Sequence, residues 1–159
     1  MDAAGKVDIL NRVLHETVNS VVQYIEIAVP YVPAGFEAQM AALRRMREEE
    51  TETSHRLTDQ IAALDGVPTV GVFPYWNVDL NYLDVRYLAR LAARQSAKAA
   101  AEIEVELDLL RDDARAHALL KSILAQKRAH AAALEEIGKP APPPAPKKPA
   151  APPAKKPAH

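Results

Sequence analysis

The sequence predicts an all-α fold, a bundle of four long helices followed by a separate tail. Three observations predict it. Apolar residues recur at spacings of three and four along most of residues 4–137. The composition has only 5 Gly in 159 residues and is rich in Ala, Leu, Glu and Arg, which favours helix over strand. A connection rich in Gly and Pro divides the helical part into two pairs of helices.

The first pair of helices is bounded by proline and glycine. The first predicted helix covers residues 4–29 and ends before Pro30, whose nitrogen has no hydrogen to donate. After a short connection, the second predicted helix covers residues 36–64, and Gly66 follows its end. One stripe of this second helix carries Leu43, Met46, Glu50, Thr53, Leu57, Ile61 and Leu64.

A long connection precedes the second pair. Residues 65–79, if extended, span roughly 50 Å, more than the length of about 39 Å of a 26-residue helix, so they can cross the bundle from end to end. Periodicity resumes over residues 80–110 and again over residues 114–137, where Asp113 is a candidate N-cap and Gly138 a helix stop. Two antiparallel hairpins joined by one long crossover define the predicted bundle.

We expect residues 4–138 to form one domain and residues 139–159 to be a disordered tail. The tail has nine Pro, six Ala, five Lys and one His, so it cannot bury a core. The rest of the chain has 15 Lys and Arg against 21 Asp and Glu, a net charge of −6, which excludes a basic bundle surface for nucleic acid. The tail is either a plain spacer or a weak contact for DNA, RNA or an acidic protein, through Lys139, Lys147, Lys148, Lys155 and Lys156.

The absence of cysteine and of long apolar stretches excludes several kinds of protein and site. The chain has no cysteine, which excludes disulfides, a thiol nucleophile and zinc sites built on thiolates. The N-terminus lacks a basic start followed by an apolar run, and no stretch approaches the roughly 18 uncharged apolar residues of a membrane span. We therefore expect a cytoplasmic protein without a membrane contact.

Polar residues interrupt the apolar stripes at one level of the predicted bundle, where bundles build their metal and cofactor sites. Counting residues from each hairpin assigns the levels. The third helix is ambiguous, because its Ala-rich middle also allows a face through Gln95, Glu102 and Glu106. The predicted inward polar positions are Thr17, Glu50, Thr53, Arg94, Lys127 and His130.

Several segments together carry a resemblance to a known family. They are Leu10-Asn11-Arg12-Val13-Leu14, Gln23-Tyr24, Leu64-Asp65-Gly66-Val67-Pro68, and Ile123-Leu124-Ala125 ahead of His130. With them the chain resembles the ferritin-like family, and within it bacterioferritin and its small relatives. The resemblance covers about residues 10–137. It implies a ferritin-like four-helix bundle and a homo-oligomer of at least two subunits.

The resemblance also implies where a dinuclear iron site would lie. The family takes Glu from the first and third helices and Glu-x-x-His from the second and fourth. Matched to this sequence, those places hold Thr17, Glu50 with Thr53, Arg94, and Lys127 with His130. A lysine about 4 Å from a dication costs roughly 8 kcal/mol at an effective dielectric constant of 20. We therefore expect salt bridges in place of the metals, with Glu50 paired to Arg94 or Lys127 and with the threonines and His130 adding hydrogen bonds.

A non-catalytic structural or interaction protein without a cofactor is therefore the first functional expectation. Haem is not expected, because Thr51 follows Glu50 where the resemblance to bacterioferritin calls for Met. One alternative is an iron-oxidising or iron-storing protein whose ligands lie outside the stripes: Glu16, Glu52, His55 and Glu102, with His130. Another alternative, by resemblance to Dps-like relatives, is DNA association through the tail.

The pair Glu52 and His55 is the most visible of these alternative ligands, because it spells Glu-x-x-His. Both side chains, however, fall roughly opposite the stripe through Leu57 and Ile61. The helical phase therefore predicts a solvated face there rather than a ligand pair.

Overall fold

The structure of the protein, a computed structural model, describes residues 1–72 and 79–140. This part of the chain is all-helical. Its helices are α1 (Ala3–Val18), α2 (Val21–Tyr24), α3 (Glu37–Ala63), α4 (Val85–Leu107) and α5 (Ala114–Ile137), with a 3₁₀ turn over Asp108–Leu110. The only β-type pairing within these residues is an isolated bridge between Tyr31 and Asp84. The predicted all-α bundle is confirmed.

The three long helices α3, α4 and α5 form where the sequence predicts them, and the start of α4 differs most. α5 begins and ends as predicted, and Asp113 caps it by accepting hydrogen bonds from the backbone N–H groups of Arg115 and Ala116. α4 begins five residues later than the predicted start at residue 80, because Asp84 caps it through the N–H of Arg86. α3 lies within one residue of its predicted ends.

The prediction of one continuous first helix over residues 4–29 is wrong. α1 ends at Val18, and Ser20 caps a new short helix by accepting a hydrogen bond from the N–H of Gln23 at 3.1 Å. Gln95 Oε1 accepts from the N–H of Val21 at 2.7 Å, so a side chain satisfies a donor that the break leaves free. Buried apolar residues continue on both sides of the break, and periodicity alone therefore conceals it.

Two apolar clusters form the core, one toward each end of the bundle. One includes Ile25, Leu43, Leu88 and Leu134, and the other includes Leu10, Leu57, Ile103 and Leu120. Between them lies a layer of buried polar residues, which we call the polar layer: Thr17, Ser20, Glu50, Thr53, Ser96, Lys127 and His130. Full burial of each leucine contributes about 1.5–3 kcal/mol, so the clusters set the register that brings the polar layer together.

The first part of the crossover is fastened along α1. The Asn11 side chain donates to the carbonyl of Val67 at 3.0 Å and accepts from the N–H of Thr69 at 2.7 Å. One turn later, His15 Nδ1 lies 2.7 Å from the carbonyl of Val70. These contacts fix the crossover at the side of α1 that faces away from the core.

Parts of the predicted crossover and tail, residues 73–78 and 141–159, lie outside the described residues. In the remainder, no helix combines the length and apolarity that crossing a lipid bilayer requires.

Candidate functional site

A carboxylate and an ammonium group lie side by side at the centre of the polar layer. Glu50 on α3 is 0% exposed and Lys127 on α5 is 3% exposed. Lys127 Nζ lies 2.5 Å from Glu50 Oε1. The Ser20 hydroxyl donates to the other oxygen, Oε2, so both carboxylate oxygens of Glu50 have a donor. Because a buried charge without a partner is strongly destabilising, each of these two groups requires the other.

His130 extends this arrangement toward the surface. Its Nε2 lies 2.7 Å from Glu49 Oε2, and its Nδ1 lies 3.8 Å from Glu50 Oε1 without a hydrogen-bond partner. Burial lowers the pKa of His130, but the neighbouring carboxylates of Glu50 and Glu49 outweigh burial and raise it above its ordinary value. The imidazole therefore links a buried carboxylate to a half-exposed one.

The ionised form of Glu50 is favoured despite its burial. Burial raises the pKa of Glu50, while the charge of Lys127, the nearby imidazole of His130 and the hydrogen bonds from Lys127 and Ser20 lower it. The net pKa lies below the ordinary value. Glu50 is therefore a carboxylate at neutral pH, paired with a cation in the interior.

The two buried threonines do not contact this pair. Thr17 donates to the carbonyl of Val13 at 2.8 Å, and Thr53 donates to Gln126 Oε1 at 2.7 Å. The Thr17 hydroxyl is satisfied within α1, and the Thr53 hydroxyl is satisfied by a bond across to α5. The expectation that the threonines hydrogen-bond the ion pair is therefore wrong, and Ser20 has that role instead.

Arg94 is the inward position that the structure contradicts. Its side chain is exposed, and the buried face of α4 consists of small residues, with Ser96 as its polar member at this level. Alanine-rich helices have a weak apolar stripe, so their rotational phase is poorly determined by sequence. Thr17, Glu50, Thr53, Lys127 and His130 are all buried at their predicted positions.

The alternative iron ligands do not come together. Glu52 and His55 are exposed on α3. Glu16 and Glu102 lie together on the other side of the bundle, where Arg12 bridges them at 2.9 and 3.3 Å.

Glu16 is the carboxylate of this set whose pKa is raised. Burial raises its pKa, Arg12 opposes this, and the adjacent Glu102 raises it further. The net pKa of Glu16 lies above its ordinary value, and its Oε2 is buried without a hydrogen-bond partner. Protonation of Glu16 is therefore favoured relative to an ordinary glutamate, whereas the pKa of Glu102 is lowered.

The polar layer does not fit a dinuclear iron centre. In residues 1–72 and 79–140, no three His, Asp or Glu side chains are grouped so that they would bind a metal ion. The positions matched to the family's iron ligands hold one carboxylate, Glu50, and one imidazole, His130. The carboxylate already accepts hydrogen bonds from Lys127 and Ser20. An ammonium at this point repels a dication and removes a ligand at the same time.

Comparison with known proteins identifies the family of this helical bundle. The family model for the ferritin-like domain matches residues 7–139. The chain belongs to the ferritin-like family. Among solved structures, this ferritin-like chain is similar to a dodecameric thioferritin, the bacterioferritin-related protein from Bacteroides fragilis, with 22% sequence identity, a TM-score of 0.71 and 86% of each chain covered. Comparison with curated protein sequences gives no significant match.

Sequence reasoning missed three members of the ferritin-like polar layer and its surroundings, Ser20, Ser96 and Glu49. A signal for the first was present: Ser20-Val21-Val22-Gln23 has the Ser-x-x-Gln pattern of a helix N-terminus. Ser96 could not be placed because its neighbours on α4 are small residues, which do not define a clear apolar stripe. Glu49 is an exposed residue, and no pattern in the sequence links it to His130.

Proposed function

We propose that this chain is a non-catalytic member of the ferritin-like family that acts as a structural or interaction protein. In it, an ion-paired polar layer takes the place of the dinuclear iron site. The supporting observation is the contact between Lys127 Nζ and Glu50 Oε1 at 2.5 Å, with both side chains buried. Glu50 is the one carboxylate at the matched ligand positions, and each of its oxygens accepts from a protein donor.

Aerobic addition of ferrous iron to the metal-free protein tests this proposal. The absorbance of ferric species should rise no faster than in buffer alone, and elemental analysis should find less than stoichiometric iron after desalting. An active ferritin serves as the positive control. Rapid, saturable oxidation with bound iron would overturn the proposal.

Iron storage or oxidation at a non-standard site is the competing function, and membership of the family favours it. Its ligands would have to come from the Glu16–Glu102 pair, since Glu52 and His55 point to solvent on another face. If iron oxidation is observed, the variants Glu16→Gln and Glu102→Gln should abolish it. The exposed pair on α3 provides the matched control, because Glu52→Gln should then leave the rate unchanged.

We also propose that the protein is a homo-oligomer. The similar thioferritin is a dodecamer. Large apolar side chains are exposed on two segments that the backbone holds together, since the N–H of Tyr82 donates to the carbonyl of Ala28 and the N–H of Tyr31 to that of Leu83. Ile27, Val29, Tyr31 and Tyr82 are each more than half exposed there. Contiguous apolar exposure of this kind marks subunit contacts.

Light scattering coupled to size exclusion measures the assembly directly. Tyr31→Lys with Tyr82→Lys should reduce the mass if this apolar region is the contact. Val105→Lys, at an exposed apolar position on α4, is the matched control. A monomeric wild type would overturn the proposed oligomer.

The basic tail is proposed to contact polyanions weakly. Lys139 pairs with Glu136 at 2.6 Å, and the other four lysines lie in residues 141–159, outside the described part of the chain. Five lysines contact at most about five phosphates, so binding would be independent of sequence and sensitive to salt. DNA retardation should vanish on truncation after Gly138. Retardation that persists in the truncated protein would assign binding to the acidic bundle and contradict this proposal.

A further inference from the structure

A groove between α1 and α4 adjoins a small cavity inside the bundle. The groove has a volume of about 560 Å³ and the cavity about 80 Å³, and Glu16, Lys98 and Glu102 line both. The groove has two apolar side chains in its wall, Ala101 and Val105, and Val105 is 75% exposed. The wall of the cavity is also more apolar than polar. A ligand that fills both spaces therefore needs an apolar part.

Carboxylates outnumber cations along this wall. Arg12 pairs with Glu16 at 2.9 Å and with Glu102 at 3.3 Å. The same guanidinium also donates to both oxygens of Glu106. Lys98 is the second cation of the cluster and lies 3.3 Å from Glu102. Three carboxylates thus share two cations, which leaves one negative charge in excess when all three are ionised.

Two polar groups at this cavity have no hydrogen-bond partner. Glu16 Oε2 is buried and accepts from no donor in the described part of the chain. Ser96 is 4% exposed, lines the cavity and makes no hydrogen bond to any residue of 1–72 or 79–140. Lys127 also lines the cavity, but Glu50 balances its charge. Because a buried carboxylate oxygen without a donor is costly, the cavity favours an occupant with N–H groups and a positive charge.

We propose that the groove and cavity bind a primary alkylammonium ion with a short aliphatic chain. The ammonium group donates to Glu16 Oε2 and to the Ser96 hydroxyl, and it balances the excess carboxylate. The chain lies in the groove against Ala101 and Val105. A metal ion fits less well, because no three His, Asp or Glu side chains among the described residues are grouped as metal ligands. The site goes beyond the proposed structural role and does not rest on it.

Calorimetric titration of the full-length, metal-free protein with n-butylammonium chloride tests the site. A pH of about 8 favours the ionised Glu16, and tetramethylammonium chloride, which has no N–H donor, holds the ionic strength constant. Saturable binding is expected. Butyltrimethylammonium has the same charge and chain without N–H groups, and should bind about tenfold more weakly. Methylammonium should also bind more weakly, by about fourfold for each buried methylene that it lacks.

Two variants assign the ammonium position, and a third is the matched control. Glu16→Gln keeps the size of the side chain but removes its charge, and should weaken butylammonium binding about tenfold. Ser96→Ala removes the second acceptor and should weaken binding about fivefold. Glu104→Gln removes the same charge from an exposed residue of α4 that pairs with Arg128 outside the groove, and should leave the affinity unchanged.

Three results would overturn the proposal. The first is the absence of saturable butylammonium binding to the wild-type protein. The second is an equal affinity for butyltrimethylammonium, which would show that charge alone attracts the ligand. The third is an equal effect of Glu16→Gln and Glu104→Gln. The ligand comparison uses wild-type protein, so it decides the matter even if a variant fails to fold, and metal-free samples keep the outcome separate from that of the iron experiment.

Discussion

Lys127 on α5 and Glu50 on α3 form an ion pair where the two apolar clusters of the bundle meet, with Nζ and Oε1 2.5 Å apart. The contact joins two helices through residues 77 positions apart in sequence. Both side chains are almost completely buried. Each charge is therefore stabilised by the other, and removal of either side chain leaves a buried charge without a partner.

Lys127→Met should destabilise the protein by about 3–5 kcal/mol, because it leaves the Glu50 carboxylate buried without its cation. Chemical denaturation measures the free energy of unfolding. Lys121→Met, at an exposed position of the same helix, is the matched control and should change it by no more than about 0.5 kcal/mol.

The double variant Glu50→Met with Lys127→Met separates the pair from its parts. Replacing a buried pair by apolar residues of similar volume is often neutral or stabilising. We therefore expect the double variant to be more stable than either single variant. Additive losses would contradict a direct interaction.

Ser20→Ala should cost about 2–4 kcal/mol, because one hydroxyl both caps α2 and donates to Glu50. Asp113→Ala removes a cap with no buried charge behind it, and should cost about 1 kcal/mol. Comparison of their unfolding free energies isolates the contribution of the hydrogen bond to Glu50. Equal losses would show that Ser20 acts as a cap alone.

The free energy of unfolding should fall both at low pH and at high pH. The raised pKa of His130 gives stability that is fully present below the unfolded pKa of about 6.5 and is lost as pH rises through the higher folded pKa. The lowered pKa of Glu50 gives stability that is present above the unfolded pKa of about 4.3 and is lost as pH falls through the lower folded pKa. These two groups together favour a maximum between the two unfolded values.

Denaturation midpoints measured across this pH range check the assignment. His130→Gln should remove the loss of stability on the alkaline side and retain the loss on the acid side. His55→Gln, at an exposed position on α3, is the control and should leave the profile unchanged. An unaltered alkaline limb in His130→Gln would assign the pH dependence to another group.

Most of the fold follows from the sequence, because long stripes of leucine and isoleucine fix the phase of α3 and α5. The same stripes place Glu50 and Lys127 correctly, since each polar residue interrupts a clear apolar pattern. The phase of α4 near Arg94 could not be predicted in the same way, because alanine and serine bury on any face at little cost. The break after Val18 depends on a contact from Gln95, which lies 74 positions away from Val21 in sequence.

Gly71→Ala should be much more disruptive than Gly35→Ala, although both glycines have positive φ angles, +69° and +80°. Both variants share the cost of a left-handed backbone, about 1–2 kcal/mol. A Cβ at position 71 would also overlap the ring of His15 at Nδ1, whereas one at position 35 meets nothing within 4 Å. The extra loss should detach the crossover from α1, and faster amide hydrogen exchange in residues 65–72 would report it. In a His15→Ala background the two glycine variants should become similar, and a persistent difference there would show that the His15 ring is not the obstacle.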